Sequence, residues 1–293
     1  MRGKRNFTKR TLVFLITLCM LSFAAMPAIS AASDPVYQFP DGASPVSVTL
    51  NGKPVLEGQA AIIHSVTYVP LRAFCELAGA SSITWNAAKR TAAVQCGDYT
   101  LYVTDGSFYV QVAGRYIHTG ETVINIDNRL FVPVRALAKV FSIDVSWNAA
   151  SRTVVLTSTG KRLVHADSFY NADDLYWLSR IINAEAGGEP MEGKIAVGNV
   201  VLNRKDSKSY PNTIYGVIFD RKHGLQFTPV ATGTIYRTPS SDSVIAAKIC
   251  LEGHSISREA LFFMNPRIAT NNWIAKNCRF LFRIGQHDFY GLY

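Results

Sequence analysis

The first strong pattern in the chain is an apolar run over residues 11–26, preceded by basic residues and followed by small ones at Ala28, Ser30, Ala31 and Ala32. A basic start, a short apolar centre and a small-residue exit make an export signal, with cleavage after Ser30 or Ala32. The run is short for a membrane span, which needs about 20 apolar residues, and no second run follows. The pattern predicts a signal peptide over 1–32 and no stable membrane insertion of the mature chain. Beyond it, short apolar segments predict strands at 46–50, 99–103, 108–112 and 123–126. The period changes near Asp173 and Asp174, where two acids open a helix at the end its dipole favours for them. Leu175, Leu178, Ile181 and Ile182 then recur at helical spacing. The same face continues onto Glu185, just before Gly187, Gly188 and Pro190 end the helix. A further helix is predicted over 243–252.

Between the export signal and this helix the chain repeats itself. The heptapeptide from Tyr68 to Phe74 (YVPLRAF) matches that from Phe131 to Leu137 (FVPVRAL), and Trp85 to Thr91 (WNAAKRT) matches Trp147 to Thr153 (WNAASRT). Each unit reads as a strand ending at the proline, a short helix with that proline in its first turn, and a hairpin turning at Asn-Ala-Ala. Trp85 and Trp147 read as repeated core residues and Arg72 and Arg135 as strand anchors; a glycan-binding platform built on the tryptophans is the second reading.

Composition changes the picture once. The full chain carries a net charge of +9, which suggests a nucleic-acid partner. Five of its 30 basic residues, however, lie in the first ten positions; the other 25 face 21 acids, a net of +4, and the nucleic-acid reading falls away. His64 and His118 stand alone, so no metal site and no cofactor is expected. In an exported protein Cys75 could pair with Cys96 and Cys250 with Cys278; buried thiols are the alternative, since Ala138 and Ser158 replace Cys75 and Cys96 in the second repeat.

The duplicated blocks resemble the copper amine oxidase N-terminal-like (stalk) domain, an exported spacer or wall-associating module whose name implies no copper. In the second half, the run from Asn183 to Pro190 (NAEAGGEP) resembles the signature of the SleB/CwlJ-type cell-wall hydrolases, the spore-cortex-lytic family. The stretch from Glu192 to Arg204 looks like that family's second helix, and Gln226-Phe227-Thr228 and the run from Ile284 to Tyr290 look like its later strands. The resemblances imply an α+β protein: signal 1–32, a two-repeat strand/helix/hairpin stalk domain over 33–160, a linker over 161–172, and a lysozyme-like α+β catalytic domain over 173–293.

They also imply an exported enzyme acting on peptidoglycan glycan strands in cell wall or spore cortex, with Glu185 as catalytic acid. A carboxylate on an apolar face has its pKa raised by burial, as an acid for glycosidic cleavage requires. With one carboxylate acting as acid and then base, the reaction is that of a lytic transglycosylase with a 1,6-anhydro product. Glu189 either holds the glycine-rich turn by accepting backbone N–H bonds or is a second carboxylate; Asp220 and Asp288 are further acids for a hydrolytic muramidase. Asn183, Tyr215, Gln226, Phe227 and Trp273 are the expected substrate contacts, with Phe263 a further aromatic candidate. Gln226 is expected in a strand over 225–228. The alternatives are an N-acetylmuramoyl-L-alanine amidase using zinc at His223, His254 and His287, a Cys250–His254 peptidase, and a non-enzymatic wall-polymer-binding protein.

Overall fold

The computed structural model describes residues 37–222, 226–269 and 271–293. The predicted signal, His223 and Leu225 lie outside them. Residues 35–293 form one compact unit, within which a strand-rich lobe precedes a helical one. The first repeat begins with β1 (Ser44–Pro45), β2 (Ser47–Leu50), β3 (Lys53–Val55) and β4 (Ala61–Ile63), and continues through β5 (Val66–Pro70) and α1 (Leu71–Leu77) to the hairpin β6 (Ser82–Asn86) and β7 (Thr91–Cys96). Next come β8 (Tyr99–Thr104), β9 (Tyr109–Val112), β10 (Arg115–His118) and β11 (Ile124–Ile126). The second repeat follows as β12 (Arg129–Pro133), α2 (Val134–Val140), β13 (Ile143–Asn148) and β14 (Thr153–Ser158). The four strands expected from periodicity are present within a residue or two of their predicted limits.

The repeats meet at their matching strands. In the antiparallel β5–β12 pair, Val69 faces Val132, Pro70 faces Phe131 and Tyr68 faces Pro133. Because Val69 and Val132 are equivalent in the repeat, the pairing is a local two-fold axis. Pro70 and Pro133 end their strands and stand directly before the helices, rather than inside the first turn. From α1 and α2, Leu71, Phe74, Val134 and Leu137 enter one shared core.

The Trp-Asn-x-x-x-Arg-Thr block is turn chemistry. Asn86 Oδ1 accepts from Lys89 N, and Asn148 Oδ1 from Ala150 N and Ser151 N. Arg90 and Arg152 take left-handed φ values of 49° and 50°, and the Thr91 and Thr153 hydroxyls donate to the carbonyls of Lys89 and Ser151. The tryptophans are not core residues. Trp85 is 51% and Trp147 47% exposed, because each hairpin turns this face to solvent. Arg72 and Arg135 are exposed as well, and Arg72 pairs with Glu76 on its own helix.

The helical lobe contains α3 (Ala166–Phe169), α4 (Ala172–Ala186), α5 (Met191–Asp206), α6 (Ile214–Phe219), α7 (Thr228–Thr232), α8 (Ser241–Leu251), β15 (Phe262–Met264), α9 (Trp273–Asn277), β16 (Arg279–Ile284) and β17 (His287–Gly291). Asn171 caps α4 by accepting from Asp174 N, and Leu178, Ile181 and Ile182 are fully buried as the stripe predicts. Gly198 on α5 is required by close approach: a Cβ there would lie 2.7 Å from Cys250 Sγ and 2.9 Å from Ile182 Cδ1. The sheet runs β15–β17–β16 and packs on the end of α4 and the middle of α5 through Ala186, Val197, Val200 and Phe289.

All four described cysteines are free. Cys250 is sealed between α5 and α8, its thiol donating to Ile195 O, whereas Cys278 caps α9; the Cys250–Cys278 pairing is therefore not formed, nor is Cys75–Cys96. No helix among the described residues is long and apolar enough to cross a membrane.

The stretch expected as a linker is an ordered clamp. Ala166 N donates to Ala113 O, Phe169 lies 3.6 Å beneath the Arg115 guanidinium, and Tyr170 Oη donates to Glu252 Oε1. Glu252, at the end of α8, receives both arms of the Arg115 fork at 2.7 and 2.8 Å and Lys139 Nζ at 2.7 Å. Lys248 Nζ donates to Gly114 O, and His118 stacks on His254 with centroids 3.5 Å apart. The strand-rich lobe is thus bolted to the outer side of α8.

Candidate active site

Glu185 occupies the last turn of α4, where the helical core meets the sheet. Its neighbour Ala186 is already part of the sheet-side cluster. Glu185 is half-buried, and burial pushes its carboxyl up to about 7 against the opposing pull of the Arg204 charge. Among the described residues it makes no ion pair. Half of it would be protonated near neutral pH, so it can both donate and recover a proton there.

Arg204 is the site residue that sequence reading passed over. It is buried near the end of α5. Its Nε donates to Leu261 O at 2.7 Å and its Nη1 to Gln226 Oε1 at 3.3 Å. The rings of Tyr210, Phe227 and Phe262 surround it at 5.2–5.4 Å. Burial pulls its pKa down, while Tyr210, Asp220 and Glu185 push it back. The same helix face carries Asn199, bonded to His254 O and Ile256 N, and Asn203, bonded to Ser257 O and Ala260 O. Three polar side chains on one face of a buried helix were the available signal: together they pin the 254–261 segment that leads into β15.

Glu189 is buried and its Oε2 accepts from Gln286 N at 2.9 Å, tying the signature turn to the β16–β17 turn. Gly285, at φ 57°, permits this approach, because a Cβ there would fall 1.9 Å from Glu189 Oε2. His287 Nδ1 stands 4.0 Å from Glu189 Oε1; burial lowers the imidazole pKa, with Glu189 and Asp288 opposing. Asp288 is paired with Arg283, whose hydrogen bonds hold its pKa below the ordinary range. Asp220 caps α6 and accepts from Lys222 N.

The remaining expected contacts divide. Gln226 joins the site through Arg204. Its segment is not a strand: Phe227 precedes α7, and Pro229 sits in that helix's opening turn, where its missing N–H is no loss. Phe227 is 2% exposed and packs in the core, so its ring offers no open face for a sugar. Asn183 Oδ1 accepts from Ser240 N and Ser243 Oγ, which splices α4 to the start of α8. Trp273 is exposed and packs edge-on against Phe262, adjoining the Arg204 cage, and half-buried Phe263 packs on His287 and Phe289. Tyr215 stacks on Phe219 in a separate aromatic group with Trp177. The Cys250–His254 pair is not a catalytic couple: burial raises the thiol pKa, and the imidazole stacks on His118. Among the described residues no group of three or more His, Cys, Asp or Glu gathers at metal-binding distance.

Because Arg204 holds the Glu185 pKa below the value burial alone would set, Arg204→Gln should move the alkaline limb of the pH–rate profile to higher pH. Titration of kcat/KM from pH 5 to 9 checks it, and a limb at the wild-type position would remove Arg204 from this role.

An enzyme-like helical lobe with one proton-holding carboxyl, bolted to a duplicated strand-rich lobe, is the class that fold and site define. Residues 188–290 match the Cell Wall Hydrolase family and residues 49–156 the copper amine oxidase N-terminal domain. The helical lobe is a cell wall hydrolase domain and the strand-rich lobe a copper amine oxidase N-terminal domain. The first match opens at Gly188, three residues after Glu185. Over 120 residues the chain is 39% identical to the spore cortex-lytic enzyme of Bacillus subtilis (strain 168), covering 41% of this chain and 38% of that protein. It is 38% identical over 120 residues to the spore cortex-lytic enzyme of Bacillus cereus, covering 45% of that protein. The chain thus spans less than half the length of these relatives. Among solved structures, the catalytic domain of the germination-specific lytic transglycosylase SleB from Bacillus anthracis is similar, with 37% identity, a TM-score of 0.38, and coverage of 41% of this chain and 96% of that one.

Proposed function

We propose that the protein cleaves peptidoglycan glycan strands between N-acetylmuramic acid and N-acetylglucosamine as a lytic transglycosylase, with Glu185 as its single acid and base. The observation that carries this reading is the Glu185 carboxyl, half-buried and raised to about 7, while Asp288 is paired and Glu189 is engaged with a backbone N–H. Glu185 gives its proton to the bridging oxygen as the bond from C1 breaks. The resulting carboxylate takes the proton of the muramic acid C6 hydroxyl, whose oxygen closes on C1. The proton is back on Glu185, no water is consumed, and the product ends in a 1,6-anhydro sugar. Glu189 serves as a brace that fixes the turn after α4 against β17. Asn183 positions α4, Gln226 orients Arg204, and Trp273 offers an exposed ring at the rim. The export signal and the relatives named for spore cortex lysis support action outside the membrane, on cell wall or cortex.

Mass analysis of products from purified peptidoglycan tests the reaction class. Anhydro-muramic ends are expected. Reducing muramic ends, one water heavier, would make the enzyme a hydrolytic muramidase, and free stem peptides would make it an amidase.

A further inference from the structure

The two copies of the repeat differ in how they use one arginine. Arg135 and Trp147 match Arg72 and Trp85. In the first copy Arg72 Nη1 lies 3.6 Å from Glu76 Oε1, but the residue matching Glu76 in the second copy is Lys139. Lys139 is itself spent on Glu252 at the interlobe clamp. Arg135 is exposed and, among the described residues, makes no ion pair.

Arg135 and Trp147 line one cavity of about 420 Å³, within the size range of small-ligand sites. Both repeats build it: Val66 and Thr67 come from β5, Val145 and Trp147 from β13, and the buried Val134 and Val154 complete its apolar part. Ser65 and Ser146 add exposed hydroxyls. A second cavity of about 430 Å³ adjoins the first, since Arg135 and Val145 line both. It brings in Lys161, which makes no ion pair among the described residues, with Asp144 the acid beside it. The result is a groove with an apolar base, hydroxyls, an open indole and two unspent cations. An indole stacks on the apolar face of a sugar, and a guanidinium forks a carboxylate; the combination fits a glycan that carries acidic substituents.

We propose that this groove is a holding site for peptidoglycan, separate from cleavage, in which Trp147 stacks on a sugar and Arg135 meets a stem-peptide carboxylate. The proposal rests on the reading of the helical lobe as acting on peptidoglycan, and it gives the strand-rich lobe the task of keeping the enzyme on an insoluble substrate between cuts. No strand has to run from the groove to Glu185. In a cross-linked wall the two lobes, bolted together, engage neighbouring strands, and each attachment raises the effective concentration of the other.

The test is sedimentation of the full chain carrying Glu185→Gln, which binds without cutting, with insoluble peptidoglycan stripped of phosphate polymers. Trp147→Ser should weaken binding by about tenfold, and Trp147→Phe should restore most of it. Trp85→Ser, which removes a similarly exposed ring from the first copy, should bind like its parent. Arg135→Gln should weaken binding by about threefold to tenfold and flatten its salt dependence, whereas Arg72→Gln should do neither. Amidating the free carboxyls of the peptidoglycan should bring the parent down to the level of Arg135→Gln and leave that variant little changed. The proposal is overturned if Trp147→Ser and Arg135→Gln bind like the parent, if the first-copy variants are as weak as their second-copy counterparts, if the losses appear only on walls that keep their phosphate polymers, or if Trp147→Ser with Glu185 intact no longer cuts short soluble strands. Cleavage by the parent with Glu185 intact reports separately on the underlying reading: absent cleavage alongside the expected sedimentation losses would remove the glycan-cleaving reading and leave the groove.

Discussion

Replacing Glu185 by Gln is expected to abolish release of soluble fragments from peptidoglycan, by at least about a hundredfold, the usual contribution of a positioned general acid. The amide keeps the shape of the side chain and loses only the proton, so sedimentation with peptidoglycan should persist. In the unaltered enzyme the protonated carboxyl starts the reaction, so activity should be present below about 7 and fall as pH rises through that value. Stability should move the other way in the variant. A carboxyl whose folded pKa is raised stabilises the folded state at low pH, and that contribution is lost as pH rises through the folded value. Glu185→Gln removes the cost of ionising a half-buried group, so its melting temperature should exceed that of the parent at pH 8 and match it at pH 4. A gain in stability coupled to a loss of activity is the mark of a residue kept for chemistry. A variant that still releases fragments at the parental rate would end the assignment of Glu185.

The parts of this site that could be read in the sequence were those written in local periodicity. The stripe ending at Glu185 needs only the helical repeat, and the duplicated blocks need only comparison of the chain with itself. Arg204 was far harder to see by the same means. Its bonding partners, Gln226 and Leu261, are 22 and 57 residues away, and of the adjacent basic pair Arg204 and Lys205 in the last turn of a long helix, only the polar company of Asn199 and Asn203 hints that Arg204 is the buried one. Trp85 and Trp147 were misread for a related reason. A repeated tryptophan usually marks a core, but which face of a hairpin is covered depends on what packs over it, and here the described residues leave both rings about half exposed. Phe227 erred in the opposite direction, since the proline two residues later starts a helix and turns the ring inward. The interlobe clamp was equally hidden. Arg115 and Glu252 are 137 residues apart, and each looks like an ordinary surface charge until the lobes meet.

That clamp should govern stability more than any other polar contact in the chain. Replacing Glu252 by Ala is expected to cost about 3–5 kcal/mol, the loss seen when one member of a buried ion pair is removed and the other left uncompensated. The Glu252 side chain is 1% and that of Arg115 6% exposed, so water cannot take over the lost bonds. Arg115, Lys139 and Tyr170 would all lose the same acceptor. Burial alone would raise the Glu252 pKa, but the hydrogen bonds of Arg115 and Lys139 and their charges outweigh it and leave the pKa below the ordinary value. A depressed carboxylate stabilises the folded state above its unfolded pKa and loses that contribution as pH falls through the folded one. The parent should therefore loosen in acid below the ordinary carboxylate range, and Glu252→Ala should flatten that part of the stability–pH curve. Because the bonds cross between lobes that each keep their own core, their loss should also split one unfolding transition into two. Calorimetry of the variant, with proteolysis between residues 159 and 165 as the local readout, checks both. Tyr109 and Tyr116 of the strand-rich lobe also pack, half-buried, against the helical core, and a single transition at the parental midpoint would show that this apolar packing, not the Glu252 clamp, holds the two lobes together.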